Sequence, residues 1–310
     1  MVKIDLITGF LGSGKTTFIK KYAKYLIDNG ANIGILENDY GAVNVDMMLL
    51  KDLEGENCEL EMIAGGCDAD CHRRRFRTKL IAMGMCGYDR VIVEPSGIYD
   101  VDEFFDVLRD DPIDRWYEIG NVITVVDAKL ESELSDEADY LLASEAANAG
   151  CIVLSRSQEA TEEEIENTIH HLNEAMGKVQ CKRRFRDEVL VKDWDTFEKK
   201  DYERLLSCGF IPENYRKMHV EEDGAFQSLY FMNLDKTKEE ITEAATKVLE
   251  DKECGRVFRV KGFLKEKDGK WLELNATHQE MRICPIPEGQ DVVIVIGENL
   301  NKEKIQGYFS

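Results

Sequence analysis

The chain contains 310 residues, of which 43% are hydrophobic and 33% are charged. This length allows one large domain or two modest ones with a sizeable core, and the composition excludes low-complexity disorder as a description of the whole chain. The 61 acidic residues outnumber the 40 Lys and Arg and give a net charge of −21, which disfavours binding to nucleic acids and anionic lipid surfaces.

Short apolar runs alternate with helical patterns along the first two-thirds of the chain. The predicted strands lie at 3–8, 32–36, 58–63, 90–93, 122–126 and 151–154. The predicted helices cover 16–29, 101–108, 135–149 and 162–176, where apolar residues recur at helical spacing. Strands that alternate with helices predict an α/β fold with a doubly wound, mostly parallel sheet of the P-loop NTPase type.

The pattern changes near residue 200. A polar stretch with an acidic run predicts a linker at 212–224, between a nucleotide-binding domain at 1–211 and a smaller α+β domain at 225–310. In the second domain we predict helices at 237–251 and 301–308, a hairpin at Asp268 and Gly269, and strands that include 226–232, 256–264 and 292–296. The order strand, helix, three strands, helix favours an antiparallel sheet with helices on one face.

The chain contains no run of about 18 apolar residues that would predict a membrane span, and its first residues do not resemble an export signal. We therefore expect a cytoplasmic protein with neither membrane nor nucleic-acid partners. The nine cysteines are then expected to be reduced thiols, so that a close pair is first a metal or redox candidate.

Residues 9–17 read Gly-Phe-Leu-Gly-Ser-Gly-Lys-Thr-Thr, directly between a predicted strand and a predicted helix. This matches G-x-x-x-x-G-K-[ST] in the context that the phosphate-binding loop requires. In such a loop the backbone N–H groups and the helix N-terminus bind phosphates, the lysine reaches the terminal phosphates, and the Thr hydroxyl ligates Mg²⁺. The predicted nucleotide-binding residues here are Gly9, Gly12, Ser13, Gly14, Lys15, Thr16 and Thr17.

Two acidic residues follow predicted strands. Glu94 leads into Pro-Ser-Gly, so it is a candidate Mg²⁺ ligand and the N–H of Gly97 a candidate contact of the γ-phosphate. Asp39 follows the second strand, where strand ends line the ligand crevice of a doubly wound sheet. We predict that Lys15, Asp39 and Glu94 are catalytic and that Thr16 and Glu94 bind Mg²⁺. The alternative is that either acid is an ordinary strand-end or turn residue.

Residues 65–72 read Gly-Gly-Cys-Asp-Ala-Asp-Cys-His. Thiolates and an imidazole suit Zn²⁺ or another borderline-soft divalent ion, so Cys67, Cys71 and His72 are candidate metal ligands. The alternative is a pair of buried thiols beside a helix start, with Asp70 as its cap. Two basic runs, 73–77 and 182–186, are either solvated, salt-bridged faces or contacts for an anion or acidic partner.

Together these motifs resemble those of the CobW-like metal-handling GTPases, relatives of the HypB and UreG maturation proteins. The phosphate loop is similar to the family's GFLGxGKTT, and residues 94–97, 125–128 and 259–263 to its ExSG, VVDA and RxKGF motifs. Residues 38–49 are similar to its NExGxxxxD segment, with Asp39 where Glu is usual. The resemblance covers nearly the whole chain. It implies GTP hydrolysis coupled to delivery of a metal, or a metal-containing cofactor, to a client protein.

Two motifs depart from this family pattern. Where the family has Gly-Cys-x-Cys-Cys, only Cys67 is kept and Cys71 comes one place later, so metal binding either survives with altered preference or is lost. Where the family has NKxD, residues 155–158 read Ser-Arg-Ser-Gln, without the acid that would bind guanine. Arg156 can still cover the base and Gln158 can pair with either purine, so the predicted nucleotide is GTP or ATP.

Three hypotheses remain open at this point. The first is a nucleoside-triphosphate-hydrolysing switch that acts, with Mg²⁺ and with Zn²⁺ or another transition metal, as a metallochaperone or metalloprotein maturation factor. The second is an ATP-driven activator of a corrinoid or other metalloenzyme client that never holds free metal. The third is a small-molecule kinase. In the first two the partners are a nucleotide and a client metalloprotein; the sequence does not indicate the oligomeric state.

Overall fold

The computed structural model describes residues 1–39, 46–64, 69–97, 101–217, 226–234, 236–266, 268–278, 280–286 and 289–309. The chain divides into two compact units, Met1–Met218 and His219–Ser310. The division falls within 212–224, and the bounds of the linker and of the two domains stay predictions.

The first unit is built on a seven-stranded sheet with the order β3-β2-β4-β1-β5-β6-β7. Every strand pair described in it is parallel. Its strands are β1 (Val2–Thr8), β2 (Ile33–Asp39), β3 (Cys58–Ala64), β4 (Arg90–Pro95), β5 (Tyr117–Asp127), β6 (Cys151–Ser155) and β7 (Val189–Leu190). The predicted doubly wound parallel sheet is confirmed, with β1 as its central strand.

Helices connect most of these strands. They are α1 (Lys15–Asp28), α2 (Asp46–Leu50), α3 (Ala69–Gly84), α4 (Val101–Leu108), α5 (Ile113–Trp116), α6 (Asp136–Ala147), α7 (Glu162–Lys178) and α8 (Lys199–Leu206). Thr161 and Glu164 form a reciprocal capping box at the start of α7, which satisfies backbone N–H groups that the helix itself leaves unbonded. The four predicted helices are confirmed to within two residues.

The sequence did not predict α3 as a helix of its own, although it is 16 residues long. Its buried stripe of Phe76, Leu80 and Met83 has helical spacing, but four arginines surround the stripe and hide the pattern. The helix is stable because this apolar stripe is buried in the core. Burying one such side chain contributes about 1.5–3 kcal/mol to the free energy of folding.

A polar cluster is buried inside the sheet around Asp5 on β1, whose side chain is fully buried. Its Oδ1 accepts hydrogen bonds from Arg90 Nη1 at 2.5 Å and from the Asn121 backbone N–H at 2.8 Å. Its Oδ2 accepts from the Tyr22 hydroxyl at 2.7 Å. The cluster therefore joins β1, β4, β5 and α1, and it gives each buried polar group a partner.

The second unit contains a five-stranded sheet with the order β11-β10-β9-β12-β8, and all its described pairs are antiparallel. Its elements are β8 (Phe226–Met232), α9 (Lys238–Glu250), β9 (Arg256–Lys265), β10 (Trp271–Ala276), β11 (Met281–Ile286), β12 (Val292–Glu298) and α10 (Lys302–Phe309). Alternate residues of β10, Leu272, Leu274 and Ala276, pack with both helices in one core. The predicted antiparallel sheet with helices on one face is confirmed.

The predicted order of this unit lacked one strand, β11. Its sequence, Met-Arg-Ile-Cys-Pro-Ile, contains a proline and only partly buried side chains, so it does not show a clear strand pattern. β11 lies at the edge of the sheet, where Pro285 is tolerated because an edge residue need not donate to a second neighbour. Within the described ranges, no helix of either unit is long and apolar enough to cross a membrane.

Candidate functional site

The phosphate loop connects the central strand β1 to α1 at the carboxyl edge of the sheet. Gly9, Gly12 and Gly14 have φ values of 147°, 78° and 96°, a region that residues with a Cβ rarely adopt. At Gly9 a Cβ would also lie 2.2 Å from the carbonyl oxygen of Val125. Lys15 Nζ donates to the Gly9 carbonyl oxygen at 2.8 Å, so the ammonium is folded back over the loop.

The predicted Mg²⁺ ligands Thr16 and Glu94 are brought together. The Thr16 hydroxyl donates to Glu94 Oε1 at 2.8 Å, across 78 positions of the chain, and both side chains are buried. A hydroxyl and a carboxylate oxygen side by side beside the loop are the hard oxygen ligands that Mg²⁺ prefers. These two residues therefore fit the ion and would hold it.

Glu37 of β2 is buried beside Glu94, and the sequence analysis missed it as a site residue. Glu37 is the direct register partner of Glu94, so the two carboxyl groups lie side by side on one face of the sheet. Asn38 is fully buried, and its side chain has no hydrogen-bond partner among the described residues. The predicted strand ended at 36 because polar residues follow, whereas β2 continues to Asp39.

Other parts of the site surround the loop. Gly97 lies so close to it that a Cβ would be 2.8 Å from the backbone nitrogen of Leu11. The hydroxyls of Thr8, Ser13 and Ser155 are buried and have no partner within the described part of the chain. Because buried polar atoms in proteins are normally hydrogen-bonded, this group is typical of a place that a polar ligand fills. Thr17 is exposed.

Arg156 and Gln158 occupy the positions predicted to contact the base. Arg156 has a positive φ of 54°, forms an ion pair with Asp127 and directs Nη2 to the Gly12 carbonyl oxygen at 3.4 Å. The guanidinium therefore lies across the phosphate loop. Gln158 is exposed. Their contacts with a base stay predictions.

Trp194 is a further neighbour of the loop that the sequence analysis missed. Its ring lies 3.6 Å from where a Cβ on Gly14 would be, and it packs edge-on against Phe18 with ring centroids 5.3 Å apart. Its indole N–H is buried with no partner among the residues described. No motif surrounds this tryptophan, so only the tertiary structure identifies it.

The predicted transition-metal ligands are only partly described. Cys67 and the side chain of Asp39 lie outside the described residues. Cys71 is half-buried in the first turn of α3 and His72 is fully buried. Burial, and then the nearby charge of Arg75, lowers the pKa of His72 to about 4, so that at neutral pH the ring is in the uncharged form that binds metals. Within the described ranges no three His, Cys, Asp or Glu side chains are grouped to hold a metal ion, and the metal site stays a prediction.

Glu145 of α6 is a buried carboxyl group near the loop, and the sequence analysis missed it. Neither of its oxygens has a hydrogen-bond partner among the described residues. Burial raises its pKa well above the ordinary value, while the positive charge of Lys15 acts in the opposite direction. The folded protein thus retains a proton on Glu145 that the unfolded chain releases above about pH 4.3.

A pH dependence of stability follows from this. Since the folded-state pKa is raised, the contribution of Glu145 to stability is present below pH 4 and is lost as the pH rises. Glu145→Gln cannot titrate and so does not lose stability in this way as the pH rises. The free energy of unfolding of the variant minus that of the parent should therefore be about 1–3 kcal/mol larger at pH 8 than at pH 4. Urea unfolding at both pH values measures it. Glu137→Gln, at an exposed position of α6, is the control and should show no such change; an equal change in both variants would contradict the assignment.

A phosphate loop after the central strand of a parallel sheet, with a buried hydroxyl–carboxylate pair beside it, defines the class of P-loop nucleoside-triphosphate-binding proteins. Within this class, residues 3–185 match the family described as CobW/HypB/UreG, nucleotide-binding domain, and the chain belongs to this family.

Named relatives agree with this membership. The zinc chaperone YeiR of Escherichia coli is 29% identical over 164 residues, which are 53% of this chain and 49% of that protein. The zinc chaperone YjiA of Escherichia coli is 26% identical over 173 residues, 53% of this chain and 52% of that protein. The zinc-regulated GTPase metalloprotein activator 1 of Schizosaccharomyces pombe is 26% identical over 164 residues, 50% of this chain and 39% of that protein. The matched part thus spans about half the length of these relatives or less.

Proposed function

We propose that this protein is a nucleoside-triphosphate-hydrolysing switch that binds a metal ion and passes it to a client metalloprotein. The observation that carries the proposal is the buried contact of Thr16 with Glu94 beside Lys15, in a chain of the CobW/HypB/UreG family. Zn²⁺ is the first metal to test, because three matched relatives carry zinc in their names.

The residues of the loop act on the triphosphate directly. The Lys15 ammonium exchanges the Gly9 carbonyl oxygen for the terminal phosphates, and the loop N–H groups bind the phosphate oxygens. Thr16 and Glu94 would hold Mg²⁺, which when bound neutralises the negative charge of the phosphates. Asp39, the last residue of β2, is proposed to orient the attacking water.

The order of the strands supports coupling between nucleotide and metal. β3, β2, β4 and β1 are successive neighbours, and the carboxyl ends of parallel strands lie at one edge of a sheet. The carboxyl ends of these strands lead, in that order, to the cysteines, Asp39 at the end of β2 itself, Gly97 and the phosphate loop. At this edge Asp39, the last residue of β2, is the backbone register partner of Ala64, the last residue of β3. The cysteine segment begins directly after Ala64. A change at the γ-phosphate therefore has a short route to the candidate metal ligands, of the kind that switch NTPases use.

The metal half of the proposal is tested with Cys67→Ser/Cys71→Ser. Loss of two thiolate ligands should weaken Zn²⁺ binding at least about 10–100-fold, measured by competition with a chromogenic chelator. Cys86→Ser/Cys284→Ser is the matched control, since both of these thiols are exposed and lie outside the proposed site. Equal affinity of the parent and the Cys67/Cys71 variant would contradict a role of this segment in metal binding.

Membership of the family implies GTP as the nucleotide, but Gln158 lacks the carboxylate that would accept hydrogen bonds from guanine, so GTP and ATP both stay candidates. We expect calorimetry to give affinities for GTP and ATP that differ by less than about tenfold, since a site discriminates strongly only when it pairs with the distinguishing groups. Gln158→Asp supplies an acceptor and should raise the preference for GTP more than tenfold. Ser157→Asp is the neighbouring control. A parent that already rejects ATP strongly would contradict this view of residues 155–158.

The alternative function is an ATP-driven activator of a corrinoid or other metalloenzyme client without free-metal delivery. The observation in its favour is the same Ser-Arg-Ser-Gln segment, because it lacks an acidic group for guanine. Tight, stoichiometric Zn²⁺ in protein purified without chelator would exclude this alternative.

A further inference from the structure

A groove lies between the edge strand β3 and helix α3, and Cys71 in the first turn of α3 contributes to its wall. It encloses about 500 Å³, and β3 contributes Met62 and Ile63 to its wall. The wall formed by α3 includes Cys71, Arg74, Thr78 and Lys79. Cys71, Arg74 and Thr78 follow the helical spacing of three and four residues and Lys79 is adjacent to Thr78, so the four form one stripe of the helix.

This stripe is the outer face of α3. The opposite face is buried through His72, Phe76 and Leu80, none of which is exposed. The position of α3 is therefore determined by its apolar face, and its polar stripe is left available to line the groove. Arg74 and Thr78, in the middle of this stripe, are exposed.

The charge of the groove is opposite to that of the protein. α3 carries five cationic residues and one acidic residue in a chain whose net charge is −21. Two of the cations are neutralised: Arg77 lies 3.6 Å from an oxygen of Asp110, and Lys79 pairs with Glu61 at 2.7 Å. The guanidinium of Arg74, inside the groove, forms no hydrogen bond or ion pair with any described residue.

The second basic run of the chain has a different role. Arg183 is buried and donates to the Ala147 carbonyl oxygen at 3.0 Å. Arg184 donates to the Cys181 carbonyl oxygen at 2.8 Å. These cations hold the segment before β7 in place, so an internal structural role accounts for that run and does not account for Arg74.

We propose that the groove between β3 and α3 is the docking site for an acidic, extended segment of the client protein. The inference rests on the proposed function, and charge complementarity supports it, because a carboxylate-bearing chain is attracted to a cationic helix of an otherwise acidic protein. Docking there brings the client next to the Cys71 thiol. Met62 and Ile63 provide apolar contact for the backbone and side chains of the segment.

The test uses the full chain and a fluorescein-labelled decapeptide of alternating glutamate and serine, with its lysine–serine counterpart for comparison. Fluorescence anisotropy should show saturable binding of the glutamate peptide that weakens with added salt. Arg74→Glu and, separately, Thr78→Glu should each weaken binding about tenfold, because each places a negative charge in the groove. Both positions are exposed, so the variants should unfold at the temperature of the parent.

Arg109→Glu is the matched control, because it makes the same charge change at an exposed position outside the groove and should alter binding less than twofold. Binding that both groove variants leave unchanged overturns the inference. So does full competition by equimolar inorganic phosphate, which would indicate a free-anion site, or peptide-sensitive dimerisation in sedimentation, which would indicate a second copy of the chain.

Separate measurements of nucleotide hydrolysis and Zn²⁺ binding by Arg74→Glu distinguish failure of the docking site from failure of the proposed function. If both persist while the peptide binds parent and variant equally, the docking site is wrong and the proposed function stands. If the parent neither hydrolyses a nucleotide nor binds Zn²⁺, the proposed function is wrong, whatever the peptide does.

Discussion

Lys15→Ala is expected to lower the kcat of triphosphate hydrolysis by about 10²–10³-fold, the loss typical when one preorganised donor to a transition state is removed. Lys15 already lies at the loop, where its ammonium is bound to the Gly9 carbonyl oxygen. Little reorganisation is needed to direct it to the terminal phosphates. Release of inorganic phosphate measures the rate, and Trp194, beside Gly14, offers a fluorescence signal for nucleotide binding.

The matched control for this prediction is Lys24→Ala on the same helix. Lys24 is largely exposed and pairs with Asp28, four residues away, at 3.2 Å, so its loss should change neither kcat nor nucleotide affinity. Equal rates of Lys15→Ala and the parent would mean that residues 9–17 do not form the catalytic phosphate loop. The free energy of unfolding should change by less than about 1 kcal/mol, because Lys15 is only partly buried.

Asp5→Ala should lower the free energy of unfolding by about 3–5 kcal/mol, the usual loss when one partner of a buried ion pair is removed. The Asp5 side chain is fully buried, and the substitution leaves the Arg90 guanidinium without the carboxylate that it contacts at 2.5 Å. It also removes acceptors from Tyr22 and Asn121. Urea unfolding at pH 7 measures the change.

Asp28→Ala is the comparison, since Asp28 is an exposed acid in a surface pair and its removal should change stability by less than about 0.5 kcal/mol. The double variant Asp5→Leu/Arg90→Leu should be more stable than Asp5→Ala, because it leaves no uncompensated charge inside the sheet. A loss below about 1 kcal/mol for Asp5→Ala would mean that water or rearrangement satisfies Arg90 after the carboxylate is gone.

Much of the nucleotide site was predictable from the sequence because its residues form a contiguous motif. The spacing of residues 9–17, between a strand and a helix, predicted the loop, and the acid and glycine at 94–97 predicted the partner of Thr16. Glu37, Glu145 and Trp194 were not predictable in this way. Each lies in a segment without a motif, and each reaches the site only because distant strands and helices are adjacent.

The sequence by itself determined the class of fold, the position of the phosphate loop and the membership of the family. Periodicity and local motifs are properties of residues that are close in the sequence, so they can be recognised without knowledge of the tertiary structure. Only the tertiary structure decided that Thr16 contacts Glu94, that Asp5 is neutralised by Arg90 and that the cationic stripe of α3 lines a groove. These contacts depend on strand order and register, which place residues 78 and 85 positions apart within hydrogen-bonding distance.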